Sequence, residues 1–178
     1  NIEYPINREA YEFKNSLNGL DKGIKALAAM LNRNGKGEVF FGVSKEGDVT
    51  GLKGQIGVET IKMVEERVSE VLKPAVTPTT IIEEYGGKKV IHVIVKGNDK
   101  PYAANGDYRI RIEDGNKKID PELMAKLFYE SDRMALDSIE SVEQNLSFSL
   151  LSFYLKNKGI EVDKDDFYSE FGLKRNDK

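Results

Sequence analysis

Two arginines stand two residues apart in the stretch DYRIRIEDGNKK, and two lysines close it. Arg109 and Arg111 alternate with a tyrosine and two isoleucines, which is typical of a half-buried β-strand, so both guanidiniums are predicted to project from one sheet face. Guanidinium and ammonium groups bind phosphate through charge and hydrogen bonds. Between Gly86 and Lys118 there are eight basic and four acidic residues. This stretch is therefore predicted to attract a phosphate-bearing ligand.

The cations expected to contact a nucleic acid lie on predicted strands and turns. They are Lys14, Lys36, Arg109, Arg111, Lys117 and Lys118. Phosphate contacts position a protein on nucleic acid without reading bases, so we expect binding that is mainly electrostatic and weakly selective for sequence. The hypothesis requires folding to bring these side chains together in one groove.

The glycine-rich stretch from Met30 to Gly54 is a weaker candidate for phosphate binding. Its glycines follow a predicted helix and precede a predicted strand, which reverses the order of a nucleotide-binding loop. They are better interpreted as structural turns. Lys36 and the backbone N–H groups near Gly35 and Gly37 could still reach a phosphate.

Histidine chemistry is nearly excluded, because the chain has one histidine and no cysteine. His92 lies in the apolar run VIHVIV, where a hydrogen-bonded core or edge histidine is expected. It has no partners for a zinc site, and a Ser-His-Asp triad would depend on this single residue. No metal or cofactor is predicted.

The composition describes a soluble protein with one main domain. The 178 residues are 39% hydrophobic and 32% charged, with a formal net charge of -3. No apolar run approaches the roughly 18 residues of a membrane span, and no signal sequence or disulfide framework is apparent, so a cytoplasmic setting is expected. Residues 1 to 118 carry a net charge of +2 and residues 119 to 178 a net charge of -5.

Hydrophobic periodicity predicts the elements that would position these residues. A short strand in AYEFKNSL precedes a helix that begins at Leu20, packs one face on a sheet and ends at Asn34-Gly35. A hairpin with strands in EVFFGV and VTGL follows. A second helix runs from Val58 to about Leu72, and two strands flank Gly86-Gly87, the second of them central.

The remaining elements complete a predicted α+β fold. The DYRIRI strand is followed by a helix opened by Asp120-Pro121 and then by further helical segments. We predict a mixed or antiparallel sheet with packed helices over residues 1–135. Residues 136–178 are predicted to be a small helical extension or a linker to a C-terminal region of a longer protein.

Four segments resemble one family in order: EFKNSL, then IKALAAMLNRNGKGEVFFGVSKEGDVTGL, then KKVIHVIVKGNDKPYAANGDYRIRI, then a helix opened by proline. Together they resemble the Schlafen AlbA-type domain, also grouped as divergent AAA, over about residues 9 to 130. The resemblance implies an AlbA-like core found in bacterial transcriptional regulators and RecG-helicase-like proteins. It also adds Asn32, which ends the family's helix motif, to the nucleic-acid-binding residues.

Related Schlafen domains cleave RNA with a group of acidic residues. Glu12 matches one of them, whereas Asn7 and Ser44 stand where two others are expected; Glu9 and Asp48 are the nearest alternatives. Because Mg²⁺ needs several oxygen ligands, loss of two carboxylates favours a non-catalytic domain.

Three hypotheses result from the residues and the resemblance. The leading one is a non-catalytic module of a bacterial transcriptional regulator that binds nucleic acid, with DNA favoured over RNA. A metal-dependent ribonuclease centred on Glu12 is the enzyme alternative. The third is a dimerisation or interaction domain of a longer RecG-helicase-like protein, and a homodimer is left open under any of them.

Overall fold

The computed structural model describes residues 8 to 131, which contain two sheets and three α-helices. The strands are β1 (Tyr11–Lys14), β2 (Lys36–Phe41), β3 (Leu72–Lys73), β4 (Thr79–Tyr85), β5 (Lys88–Lys96), β6 (Ala103–Ala104), β7 (Asp107–Ile112) and β8 (Gly115–Lys118). The helices are α1 (Leu20–Asn34), α2 (Val58–Val71) and α3 (Pro121–Glu130), with a 3-10 turn at Leu17–Gly19. The predicted α+β class is confirmed.

The first sheet has the strand order β1-β2-β5-β4. β1 and β2 are parallel, and the other neighbours are antiparallel. Lys14 pairs with Phe41, and Phe41 pairs with Ile91 near the start of β5. We call this end of the strands the Lys14 end of the sheet. At the opposite end, Lys36 lies across from Lys96. The prediction of β5 as a central strand is confirmed.

The second sheet has the order β3-β6-β7-β8 and is antiparallel throughout. β7 is the strand with the two arginines. Arg109 lies opposite Lys118 on β8, and Arg111 lies opposite Asn116.

Helix α1 contacts strands of both sheets, so it is buried on more than the single face that its periodicity predicts. Ten of its residues are buried, and seven of these share a core with apolar residues of β2, β5, β3 and β6. The helix approaches β2 closely at Gly23, where an added Cβ would lie 2.6 Å from Phe41 Cζ. At its end Gly35 adopts a φ of 70° and donates its N–H to Leu31 O over 2.9 Å. The predicted helix stop is thereby confirmed.

The structure differs from the predicted elements in short pieces. The returning strand predicted in VTGL is reduced to one bridge between Val43 and Val49. The short strands β3, β6 and β8 were not predicted, because segments of two to four residues show too little alternation.

Chain contacts divide the protein into two compact units, Asn1–Ile119 and Asp120–Lys178. In the second unit, Asp120 caps α3 by accepting the Leu123 N–H over 2.8 Å, as its Asp-Pro opening predicts. The predicted boundary at residues 135 and 136 and the later helical segments lie outside the described residues. Within residues 8 to 131, no helix combines the length and apolar character that a membrane span requires.

Candidate functional site

A cleft of about 380 Å³ lies beside β1 in the first unit. Its charged lining consists of four basic and two acidic side chains: Arg8, Lys14, Lys45, Arg111, Glu12 and Asp114. Lys14 is the last residue of β1, and Lys45 lies on the turn after β2, at the same end of the first sheet. Arg111 comes from β7 of the second sheet. The cleft therefore has an excess of positive charge in a protein of negative net charge.

Arg111 forms the buried wall of this cleft, with only 1% of its surface exposed. Its Nε and Nη2 donate to the backbone oxygens of Arg8 and Tyr11, each over 3.1 Å. Its Nη1 donates to Glu12 Oε1 over 3.0 Å and to Asn116 Oδ1 over 2.8 Å. The expectation that this guanidinium projects outward is wrong, because the β1 backbone lies across it and accepts its hydrogen bonds. Arg111 thus connects the second sheet to the first.

Glu12 pairs with two cations. Arg111 donates to its Oε1, and Lys14 Nζ lies 3.1 Å from its Oε2 as an ion pair that lacks the alignment of a hydrogen bond. Arg8 donates through Nη2 to Lys45 O over 3.0 Å, which fixes the turn after β2 beside the cleft. The six charged side chains sum to a net charge of +2, and Arg8 and Lys45 are the two cations of the cleft that do not pair with Glu12.

Glu9 and Asp48, the two acids that would complete a ribonuclease site with Glu12, do not lie beside it in the cleft. Glu9 Oε2 lies 3.8 Å from Arg33 Nε, and Asp48 is exposed on the turn after β2. Neither lines the cleft. Among residues 8 to 131, no three histidine, aspartate or glutamate side chains are grouped to hold a metal ion. The described ligand set therefore does not fit the catalytic metal of the enzyme alternative.

Asn32 is buried inside the domain with 1% exposure, so its assignment as a nucleic-acid contact needs correction. Its Nδ2 donates to Tyr102 O over 2.9 Å and to Arg109 O over 2.8 Å. Its Oδ1 accepts the Tyr102 N–H over 2.6 Å. The side chain satisfies backbone groups of Tyr102 and Arg109 in and next to the second sheet, and both of its N–H donors are used, so none is left for a ligand.

The other predicted contacts fall into two places. Arg109 is partly buried, and Lys117 and Lys118 are exposed beside it on β8. Lys36 lies at the opposite end of the first sheet from Lys14, five residues along the strand register, or roughly 17 Å. The structure therefore does not bring all six cations into one groove, so the convergence that the sequence hypothesis requires is not met. Of the six, Lys14 and Arg111 line the cleft.

Asp107 connects α1 to β7 through two cations. Its Oδ2 lies 2.8 Å from Arg109 Nε and 2.9 Å from Lys25 Nζ. Burial alone would raise the pKa of Asp107, but the hydrogen bonds and charges of Arg109 and Lys25 hold this pKa below its ordinary value. The ionised carboxylate therefore stabilises the fold above the ordinary aspartate pKa of about 3.9.

We expect Asp107→Asn to lower the free energy of unfolding by about 1 kcal/mol at pH 7. Because the folded pKa is depressed, this difference should persist down to about pH 4 and shrink as the pH falls through the folded pKa. Urea unfolding at pH 7, 5 and 3 measures it. The matched control is Glu65→Gln at an exposed position on α2, which should show no such loss. A difference that is constant across this pH range would refute the role of the carboxylate charge.

His92 is a satisfied buried histidine, as predicted. Its Nδ1 lies 2.6 Å from Glu83 Oε1 and its Nε2 lies 3.1 Å from Glu38 Oε1. The ring stacks on Phe40 with a centroid distance of 3.9 Å. Since the two carboxylates face opposite ring nitrogens, they cannot share one metal ion with the imidazole.

Sequence reasoning missed Arg8 and Lys45 as cleft residues. Arg8 precedes the first predicted strand, and Lys45 lies in a turn that carries two acids as well as one lysine. Neither has a periodic pattern that would assign it to a face. The register of β1 with β2 is what places both beside Lys14.

The fold and the cleft define an α+β domain with one helix between two sheets and a cation-lined surface suited to an anionic ligand. The family model described as Schlafen, AlbA_2 matches residues 7–120, and the chain belongs to this family. The resemblance seen in the sequence is thereby confirmed.

Two solved structures are similar to this chain. The DIP2311 protein from Corynebacterium diphtheriae matches with a TM-score of 0.53 and 18% identity. The match covers 67% of this chain and 26% of the DIP2311 chain. This match supports the fold alone. The N-terminal domain of a RecG-related protein from Nitrosomonas europaea has a TM-score of 0.44 and 20% identity, covering 66% of this chain and 86% of that chain. No curated protein matches significantly.

Proposed function

We propose that this domain is a non-catalytic nucleic-acid-binding module of a bacterial transcriptional regulator, with DNA as the favoured ligand. The observation that supports it best is the cleft beside β1, where four basic side chains face two acidic ones. Membership in the Schlafen, AlbA_2 family is compatible with this function.

Binding would depend on phosphate contacts from the solvent-accessible cations of the cleft. Lys45 is exposed and Lys14 has 24% of its side chain accessible, so both ammonium groups can reach a ligand at the surface. Arg111 is buried and fully engaged with internal acceptors, so its role would be to hold Glu12 and the β1 backbone in place. Arg109, Lys117 and Lys118 would extend the contacts along β7 and β8.

Such contacts release counterions, so affinity should fall steeply with salt concentration. We expect Lys14→Gln combined with Lys45→Gln to weaken duplex DNA binding about tenfold and to reduce the salt slope by about 2. Fluorescence anisotropy with duplex DNA and with RNA of the same sequence, over a salt series, measures both quantities and compares the ligands.

Lys62→Gln combined with Lys73→Gln is the matched control, because it removes two exposed lysines that do not line the cleft. This control should bind like the wild type within about twofold. Binding that is insensitive to salt, or equal losses in the two double variants, would contradict the proposal.

A further inference from the structure

A second pocket, of about 530 Å³, lies at the Lys14 end of the first sheet and has no acidic side chain in its lining. The loop from Thr50 to Ile56 forms one wall, and the start of β5 forms the other. Its charged side chains are Lys53, Lys88 and Lys89. All three are exposed, and within residues 8 to 131 none forms an ion pair with a carboxylate. Glu84 lies opposite Lys89 in the β4–β5 register but forms no ion pair with it.

Two of the three lysines are held at the rim by backbone acceptors. Lys88 Nζ donates to Val49 O over 3.3 Å, and Lys89 Nζ donates to Ile56 O over 3.2 Å. Each ammonium has three N–H donors, so each retains donors for a ligand. A neutral carbonyl partner also leaves the positive charge uncompensated, unlike the Glu12 partner of Lys14.

The backbone of the loop adds further donors. Leu52 N–H is bonded to Lys89 O over 2.8 Å, which anchors the loop to β5. In the described part of the chain, the next four N–H groups, from Lys53 to Ile56, donate to no protein acceptor. Gly51 has a φ of 79°, and a Cβ there would lie 3.0 Å from Lys88 Cβ, so this close approach requires glycine. Backbone N–H groups in compact turns, together with lysines, are a recurring way to bind phosphate.

We propose that this pocket is a second phosphate-binding site and that its ligand is a backbone phosphate of the nucleic acid bound by the cleft, an inference that rests on the proposed function. Only β2 separates β1 from β5, so the strands that carry Lys14 and Lys88 lie about 10 Å apart. A nucleic-acid strand, with one phosphate per about 3.4 Å of its axis, presents several phosphates over that span. The exposed acids Glu46 and Asp48 lie on the turn between Lys45 and Val49. They separate the cleft from the pocket, so the two are distinct phosphate sites and not one continuous basic surface.

The test combines Lys53→Gln, Lys88→Gln and Lys89→Gln, which removes the charge and keeps a hydrogen-bond donor at each position. We expect duplex DNA affinity to fall at least about tenfold and the salt slope to fall by about 2 to 3. The control combines Lys62→Gln, Lys73→Gln and Lys96→Gln, three exposed lysines that line neither site. It makes the same change in net charge and should bind within about twofold of wild type.

The outcomes separate the two proposals. If wild-type protein binds DNA and the pocket variant binds like the control, the second site is refuted and the proposed function stands. If wild-type protein binds neither DNA nor RNA, the proposed function fails and the second site fails with it. Thermal unfolding verifies that the variants are folded; if the triple variant is not, Lys53→Gln alone should reduce the salt slope by about 1, and an unchanged slope refutes the site.

Discussion

Asn32→Asp is expected to lower the free energy of unfolding by roughly 3 to 5 kcal/mol, a large part of the stability of an ordinary domain. The substitution keeps the shape of the side chain but replaces a donor with a carboxylate oxygen. That oxygen would face the backbone oxygens of Tyr102 and Arg109, which now accept hydrogen bonds of 2.9 and 2.8 Å. Burial at 1% exposure prevents water from compensating. Urea unfolding followed by circular dichroism measures the change.

Asn34→Asp is the matched control on the same helix. Asn34 is exposed and donates one hydrogen bond, from Nδ2 to Glu9 O over 2.9 Å. Its substitution should cost less than about 1 kcal/mol. Equal losses at the two positions would show that the interior network around Asn32 contributes little. A stable Asn32→Asp protein that had lost only its DNA affinity would return Asn32 to the set of ligand contacts.

Arg111→Met is expected to destabilise the domain by roughly 3 to 5 kcal/mol, because it removes one partner of a buried ion pair. The change leaves Glu12 Oε1 and the backbone oxygens of Arg8 and Tyr11 without their donor. Methionine fills much of the same volume, so the loss reports mainly the missing hydrogen bonds and charge. Chemical unfolding of the wild type and the variant at pH 7 measures it.

A double-variant cycle with Glu12→Gln isolates the charge pair. In the Arg111→Met background, Glu12→Gln should recover part of the lost stability, since it removes the carboxylate charge left behind. Arg109→Met provides the comparison at a site with 27% side-chain exposure and should cost about 1 kcal/mol. If Arg109→Met and Arg111→Met cost the same, Arg111 is not the structural residue that its contacts indicate.

The longer elements of this fold were predictable because each one carries its own repeating pattern. The α1 stop at Gly35, the pair of strands around Gly86-Gly87 and the Asp-Pro opening of α3 depend on neighbouring residues alone. The identity of the domain was also predictable, since its motifs occur in a fixed order. Two-residue strands such as β3 and β6 contain no pattern to detect.

The roles of Arg111 and Asn32 could not be predicted in the same way. Arg111 bonds to Arg8, Tyr11 and Glu12, about a hundred positions earlier in the chain, and an alternating strand pattern places it on the solvent side. Asn32 lies off the apolar stripe of α1 and would face water if one sheet alone covered the helix. The second sheet covers that side. Strand β1 of the first sheet buries Arg111, and this contact is not indicated by the local alternation of β7. Asn32, which the family resemblance predicts as a ligand contact, is buried by the second sheet.

The position of α1 between the two sheets has a consequence for how the domain folds. Neither sheet has a complete apolar interior without this helix, and both draw on the same buried side chains. The two sheets should consequently form and melt in one cooperative transition rather than as separate subdomains. Ligand binding in the cleft, whose walls come from both sheets, would then raise the melting temperature of the entire first unit rather than of a local segment.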